Sequence, residues 1–179
     1  MKSILDFFNI KEKEFVSVFL LIIQSFFLGT FYGALDIGAS ALFLDSFPSS
    51  MLPQAFLVSG IMGIIMTTLY SRLHSKINFA RLSRINLLTV SIVTLIMWLS
   101  FRIADKKIVA FAVFIMMGPL NIVGLLSFWG TVSRMYNLRQ GKRLFGLIDT
   151  GQVIGIIVCS YAIPILLTFG FQTIDTLMV

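Results

Sequence analysis

The sequence predicts an all-α fold: a polytopic transmembrane helix bundle with five full spans and the start of a sixth. Three observations carry that prediction. Hydrophobic residues make up 58% of the 179-residue chain and charged residues only 12%, where a soluble domain has about half and about a quarter. The mean hydropathy is +0.96. The apolar residues gather into five long runs, 15–44, 52–70, 85–101, 108–132 and 144–169, each near or above the ~20 residues with which a helix crosses a hydrocarbon core of about 30 Å. Strands of a membrane barrel would be about ten residues long and alternate in polarity. Helices are what remains, because lipid offers no partner to an exposed backbone N–H or C=O.

Residues 1–14, "MKSILDFFNIKEKE", mix acids with bases ahead of an apolar run far longer than the core of a signal peptide. They predict a cytoplasmic N-terminal segment, with the first span as its own insertion signal. That span carries Gln24, the pair Gly29 and Gly33, and Asp36. Asp36 follows Phe15 by 21 residues, or about 32 Å of helix, and reads as an acid at the far helix end, with a cavity role as the alternative. The second span leads into "YSRLHSKINFARLSR", which supplies Arg72, Lys76, Arg81 and Arg84 and places His74 in a solvated loop.

The third and fourth spans are joined by "ADKK", the fourth and fifth by "NLRQG". Connections this short predict antiparallel neighbours. Pro119 and Pro164 should kink spans four and five, since proline removes a donor and clashes with the preceding turn. Asn121 lies in span four, and Asp149, Gly151, Gln152 and Gly155 lie in span five. The paired glycines predict close backbone approach rather than a dimer motif. Cys159, alone in the chain, reads as a small packed hydrophobe. The bundle extends over 15–171, and 172–179 begin a truncated sixth span.

With a cytoplasmic N-terminus, eleven of the fourteen Lys and Arg residues fall on the inner side, among them Arg134, Arg139, Lys142 and Arg143, and only Arg102, Lys106 and Lys107 fall outside. The short loops make this a positive-inside pattern. The net charge of +6 is therefore an orientation signal with headgroup contact, and nucleic acid is excluded as a partner. One His, one Cys, no metal-ligand spacing and no phosphate loop argue against an enzyme, a metal and a cofactor.

Asp149 stands about six residues, or ~9 Å, beyond Arg143. A charge inside a span needs a partner or water. Two readings stay open: a coupling or gating carboxylate, or a fixed ion pair with Arg134 or another basic residue. Gln24, Asn121 and Gln152 are polar within spans, and interhelical hydrogen bonds are their plainest use.

The layout of spans and basic loops resembles the N-terminal half of a major facilitator superfamily transporter. "FWGTVSRMYNLRQGKRLFGLIDTGQVIGIIV", residues 128–158, resembles more specifically the ATP/ADP translocase (nucleotide transporter) family and its bacterial relatives, and "ASALFLDSF" with "LPQAFLVSGIMGIIMTTLYSRL" is similar to its first hairpin. The loop between spans two and three lacks the Gly and Asp of the superfamily signature, and no span has a cation in its middle. The resemblance implies a secondary transporter of a nucleotide or other anionic small-molecule substrate in a bacterial inner membrane. It implies a second transmembrane half or partner membrane subunit beside the lipid bilayer, with Gln24 and Asn121 facing a central cavity. The alternative is a non-transporting, facilitator-like scaffold that anchors partner proteins.

Overall fold

Apolar runs of this length fold as unbroken helices because every backbone group must find its partner within its own segment. The computed structural model describes Lys11 and residues 14–74 and 76–169; the expected sixth span at 172–179 lies outside the described residues, as does most of the segment 1–14. The helices are α1 (Phe15–Ser46), α2 (Leu52–His74), α3 (Phe79–Ser100), α4 (Lys106–Met135) and α5 (Leu138–Thr168), with a single 3-10 turn, Ser49–Met51, ahead of α2. All five are long and apolar enough to cross a membrane. The chain is an integral membrane protein whose described residues are helices and their connections.

The helices outrun the apolar runs. α3 begins at Phe79 rather than Ile85, and α5 at Leu138 rather than Leu144, where a local polar box caps it. Asn137 Oδ1 accepts from the Gln140 N–H while Gln140 Oε1 accepts from the Asn137 N–H, both at 3.0 Å, a reciprocal box that supplies partners for orphan donors at a helix start. Asp105 Oδ1 does the same for the Lys107 N–H at 2.8 Å at the start of α4.

Packing does not follow chain order. The closest pair is α1 with α5, then α2 with α4, then α1 with α4, while α3 rests on α4 alone to any extent. The expected antiparallel alternation of direction holds, but of the consecutive pairs only α3 and α4 pack extensively. Small residues decide the pairing. A Cβ on Gly29 would strike the backbone oxygen of Gln152; on Gly151, that of Ile22; on Gly155, that of Phe26. On Gly33 it would meet Cys159 Cβ at 3.3 Å. In lipid, apolar side chains gain little by leaving the solvent, so close backbone approach is a main source of helix association. Cys159 is buried in this seam.

α2 and α4 pack through Ser59 and Gly118, where an added Cβ would come 3.0 Å from Ser59 Oγ. Pro119 has no N–H to offer the carbonyl four residues back, Ile115. Ser59 Oγ donates to that carbonyl at 2.8 Å. A neighbouring helix thus satisfies the acceptor that proline orphans. Two apolar clusters fill the ends of the bundle: Phe43, Ala55 and Phe114 at the α1 C-terminal end, and Val18, Leu21, Phe128, Val132, Leu144 and Ile148 at the α1 N-terminal end.

Candidate functional site

A polar band crosses the bundle near the α1 N-terminal end. On α3, Ser83 and Asn86 are three apart and share a face; on α4, Ser127 and Thr131 are four apart and meet them. Ser83 Oγ and Ser127 Oγ lie 2.9 Å apart, and Asn86 Nδ2 donates to the Val123 carbonyl at 3.0 Å. Between α1, α3 and α4 these residues line a groove of about 400 Å³, with Gln24, Phe27 and Phe31 as its α1 wall and Arg84 beside Asn86 on α3. Tyr32 closes the deep side, only 5% exposed. Its hydroxyl lies where a Cβ on Gly124 would sit and has no hydrogen-bond partner among the described residues.

Below the band, at the helix ends, two clusters tie elements together. In the first, Glu14 precedes α1 and is buried. Arg143 Nη2 donates to Glu14 Oε2, Gln140 Nε2 donates to Oε1 at 2.7 Å, and the Lys11 N–H lies 3.4 Å from Oε2. Burial opposes the Glu14 charge, but Gln140, the Lys11 N–H and Arg143 outweigh it and hold its carboxyl below the ordinary carboxylate value. Gln140 therefore serves α5's own cap and the α1 end at once. In the second, Arg134 Nη2 and His74 Nε2 are 3.0 Å apart, and the Arg134 guanidinium stands 4.1 Å over the Phe79 ring. A guanidinium only donates, so His74 Nε2 is the acceptor there.

No family model, no characterised protein and no solved structure matches the chain.

The residues singled out from the sequence do not converge. Gln24 joins the groove. Asn121 on α4 is not among its walls, and its Oδ1 is buried without a partner among the described residues. Gln152 sits on the opposite side of α1, in the seam with Gly29, its Oε1 likewise unpartnered among the described residues. Asp36 is exposed on α1. Asp149 is half-buried and has neither an ion pair nor a hydrogen bond among the described residues. The fixed pair weighed for it with Arg134 is absent, because Arg134 is taken by His74 and Phe79, and the acid that does pair with the basic turn is Glu14.

Of the described basic residues, Arg143 is the one drawn inward. Arg139 and Lys142 are exposed and line a shallow groove at the α4–α5 turn. Arg72, Lys76 and Arg81 are exposed at the α2–α3 connection. His74, expected to be solvated, is exposed but engaged with Arg134 and stacked near Tyr70. The sequence reading passed over Glu14 and the Ser83–Asn86 face. An acid directly at the first apolar border, and polar residues at i and i+3 opposite others at i and i+4, were the available signals.

Proposed function

We propose that this protein is a facilitator-type membrane transport module, one half of an alternating-access secondary transporter for an anionic metabolite such as a nucleotide. The observation that carries the reading is the pairing of its helices. α1 and α5 run parallel in contact, with Ile22 by Gly151 and Gly33 by Cys159; α4 and α2 also run parallel in contact, with Ile115 by Ser59 and Ile122 by Gly63. α1 and α4 run oppositely, with Phe43 on Phe114 at one end and Val18 with Val132 at the other. Exchanging α1 with α4 and α2 with α5 maps one close pair onto the other with direction reversed. Such inverted repeats about an axis in the membrane plane are the internal symmetry of facilitator halves.

The orientation we propose, with the α1 N-terminal end cytoplasmic, follows from the nine described cations at that end, against three at the other. A scaffold without transport is favoured by one observation: no cation lies in the middle third of any of the five helices, where an anion would need one. Proteoliposomes in which the protein is reconstituted together with its second half, a further copy or a co-purified membrane subunit, and assayed with labelled ATP, ADP and smaller phosphorylated metabolites, should show saturable uptake of at least one. Uptake no greater than in protein-free vesicles, from protein whose α1–α5 contact is intact, leaves the scaffold.

A further inference from the structure

The α3 helix rests mainly on α4, and its hold is of two kinds. Deeper in, the Ser83 and Ser127 hydroxyls share a hydrogen bond and Asn86 donates to the Val123 carbonyl, contacts between uncharged groups that no pH near neutrality alters. Further out, the Phe79 ring lies so close to Gly130 that a Cβ there would come within 2.8 Å of it, and the Arg134 guanidinium covers the ring at 4.1 Å. His74, the last residue of α2, meets the same ring edge-on, with centroids 5.7 Å apart, and its Nε2 lies 3.0 Å from Arg134 Nη2. One guanidinium thus joins the end of α2, the start of α3 and the end of α4.

We propose that His74, Phe79 and Arg134 form a pH-sensitive latch, which holds the α2–α3 connection on the end of α4 while His74 is neutral and releases it when His74 gains a proton. Because a guanidinium only donates, Nε2 must offer its lone pair, so the single proton of the neutral ring sits on Nδ1. A second proton turns Nε2 into a donor facing a donor, and brings two positive groups to within 3.0 Å. Histidine is the side chain that makes this change between about pH 5 and 8. The groups facing His74 do not compensate the new charge: they are Arg134 from α4, the Phe79 ring from α3 and, on α2 itself, Tyr70, stacked at 6.4 Å, with Arg72 and Lys76 flanking it in the chain. None is an acid, and the ion pair found among the described residues, Arg143 with Glu14, lies elsewhere. Phe79 and Arg134 stand one turn outward of Ser83 and Thr131, which line the groove between α1, α3 and α4. Release therefore loosens the α3–α4 wall of that groove at the α1 N-terminal end, while Ser83 and Asn86 keep the deeper seam closed. The latch rests on this packing alone and is independent of transport.

His74 is the single histidine of the chain, so nitrogen NMR of the histidine-labelled full chain in micelles reads it alone. At about pH 8 the wild type should show a neutral ring protonated on Nδ1, and Arg134→Ala should shift the ring toward the Nε2–H form. Motion is read by spin labels at Lys76→Cys on the connection and Leu138→Cys at the start of α5, in a Cys159→Ala background. From about pH 8 to about pH 5, their separation should become longer and broader in the otherwise wild-type chain. His74→Gln, whose amide oxygen accepts from Arg134 but takes up no proton, should keep the short separation at both pH values, and Arg134→Ala the long one at both. An Nε2–H ring in the wild type at the higher pH, or a separation that ignores pH, would overturn the proposal. So would a pH response surviving in His74→Gln, which would assign the motion to carboxylates. Should Arg134→Ala fail to fold, His74→Gln decides: a shift equal to that of the wild type rejects the latch.

Discussion

Glu14 is one residue from the first apolar border, and its charge depends on groups that arrive from 126 and 129 positions away, Gln140 and Arg143. Because its folded-state carboxyl is held below the ordinary value, its contribution is present above the unfolded value of about 4.3 and is lost as pH falls through the folded one. Thermal melts in detergent should therefore show stability dropping below about pH 4, with a flatter profile in Glu14→Gln. A Glu14→Ala protein, at neutral pH, should lose about 1.5–3 kcal/mol, as for hydrogen bonds to a charged group. Ser59 makes a second residue-scale case: Ser59→Ala leaves the Ile115 carbonyl without the donor that Pro119 also lacks, so a cost of about 1 kcal/mol should appear in reversible unfolding. Pro119→Ala, which restores the N–H, should make Ser59→Ala nearly neutral. An undiminished cost in that background would mean the hydroxyl serves some other purpose.

Among the elements, the α1–α5 seam is the most demanding. Gly155→Ala would drive a methyl into the Phe26 backbone oxygen, which cannot swing aside, whereas Gly146 on the same helix has nothing within 4 Å of an added Cβ. Gly146→Ala should be neutral or stabilising by about 0.5–1 kcal/mol from helix propensity; Gly155→Ala should destabilise, and comparison of the two melts checks the seam directly. The native cysteine offers a positive test. A Cβ at position 33 would lie 3.3 Å from Cys159 Cβ, close to disulfide geometry, so Gly33→Cys should oxidise to an intramolecular bond. A mass two hydrogen atoms lighter, with the protein still monomeric on non-reducing gels, is the expected result; disulfide-linked dimers or two free thiols would place the helices elsewhere.

At the scale of the whole molecule, five membrane-crossing helices put the α2–α3 connection and the start of α4 on opposite faces. Single-cysteine variants at Asn78 and Lys107, in a Cys159→Ala background, should react with a membrane-impermeant reagent from opposite sides, and labelling of both from one side would remove the five-span topology. The same experiment on sealed cells reads the proposed cytoplasmic placement of Arg72, Arg134 and Arg143.

The sequence by itself determined that the chain lives in lipid, where its helices lie to within about six residues at their ends, and that Gly29, Gly33, Gly151 and Gly155 mark close approach. Each of these follows from local composition, and hydropathy is a local quantity. Only the tertiary structure decided which helices touch. In lipid an apolar side chain is equally at ease against a neighbour or an acyl chain, so hydropathy is silent on partners, and short connections misdirect toward consecutive ones. Pairing depended instead on whether Gly29 could lie on the Gln152 backbone and Ser59 reach the Ile115 carbonyl. That choice set the site as well. It brought Gln24 to Ser83 and Asn86, carried Gln152 into the opposite seam, and gave Arg143 to Glu14 rather than to Asp149, because a charge near lipid pairs with whatever acid the packing brings within reach, however far away it lies in the chain.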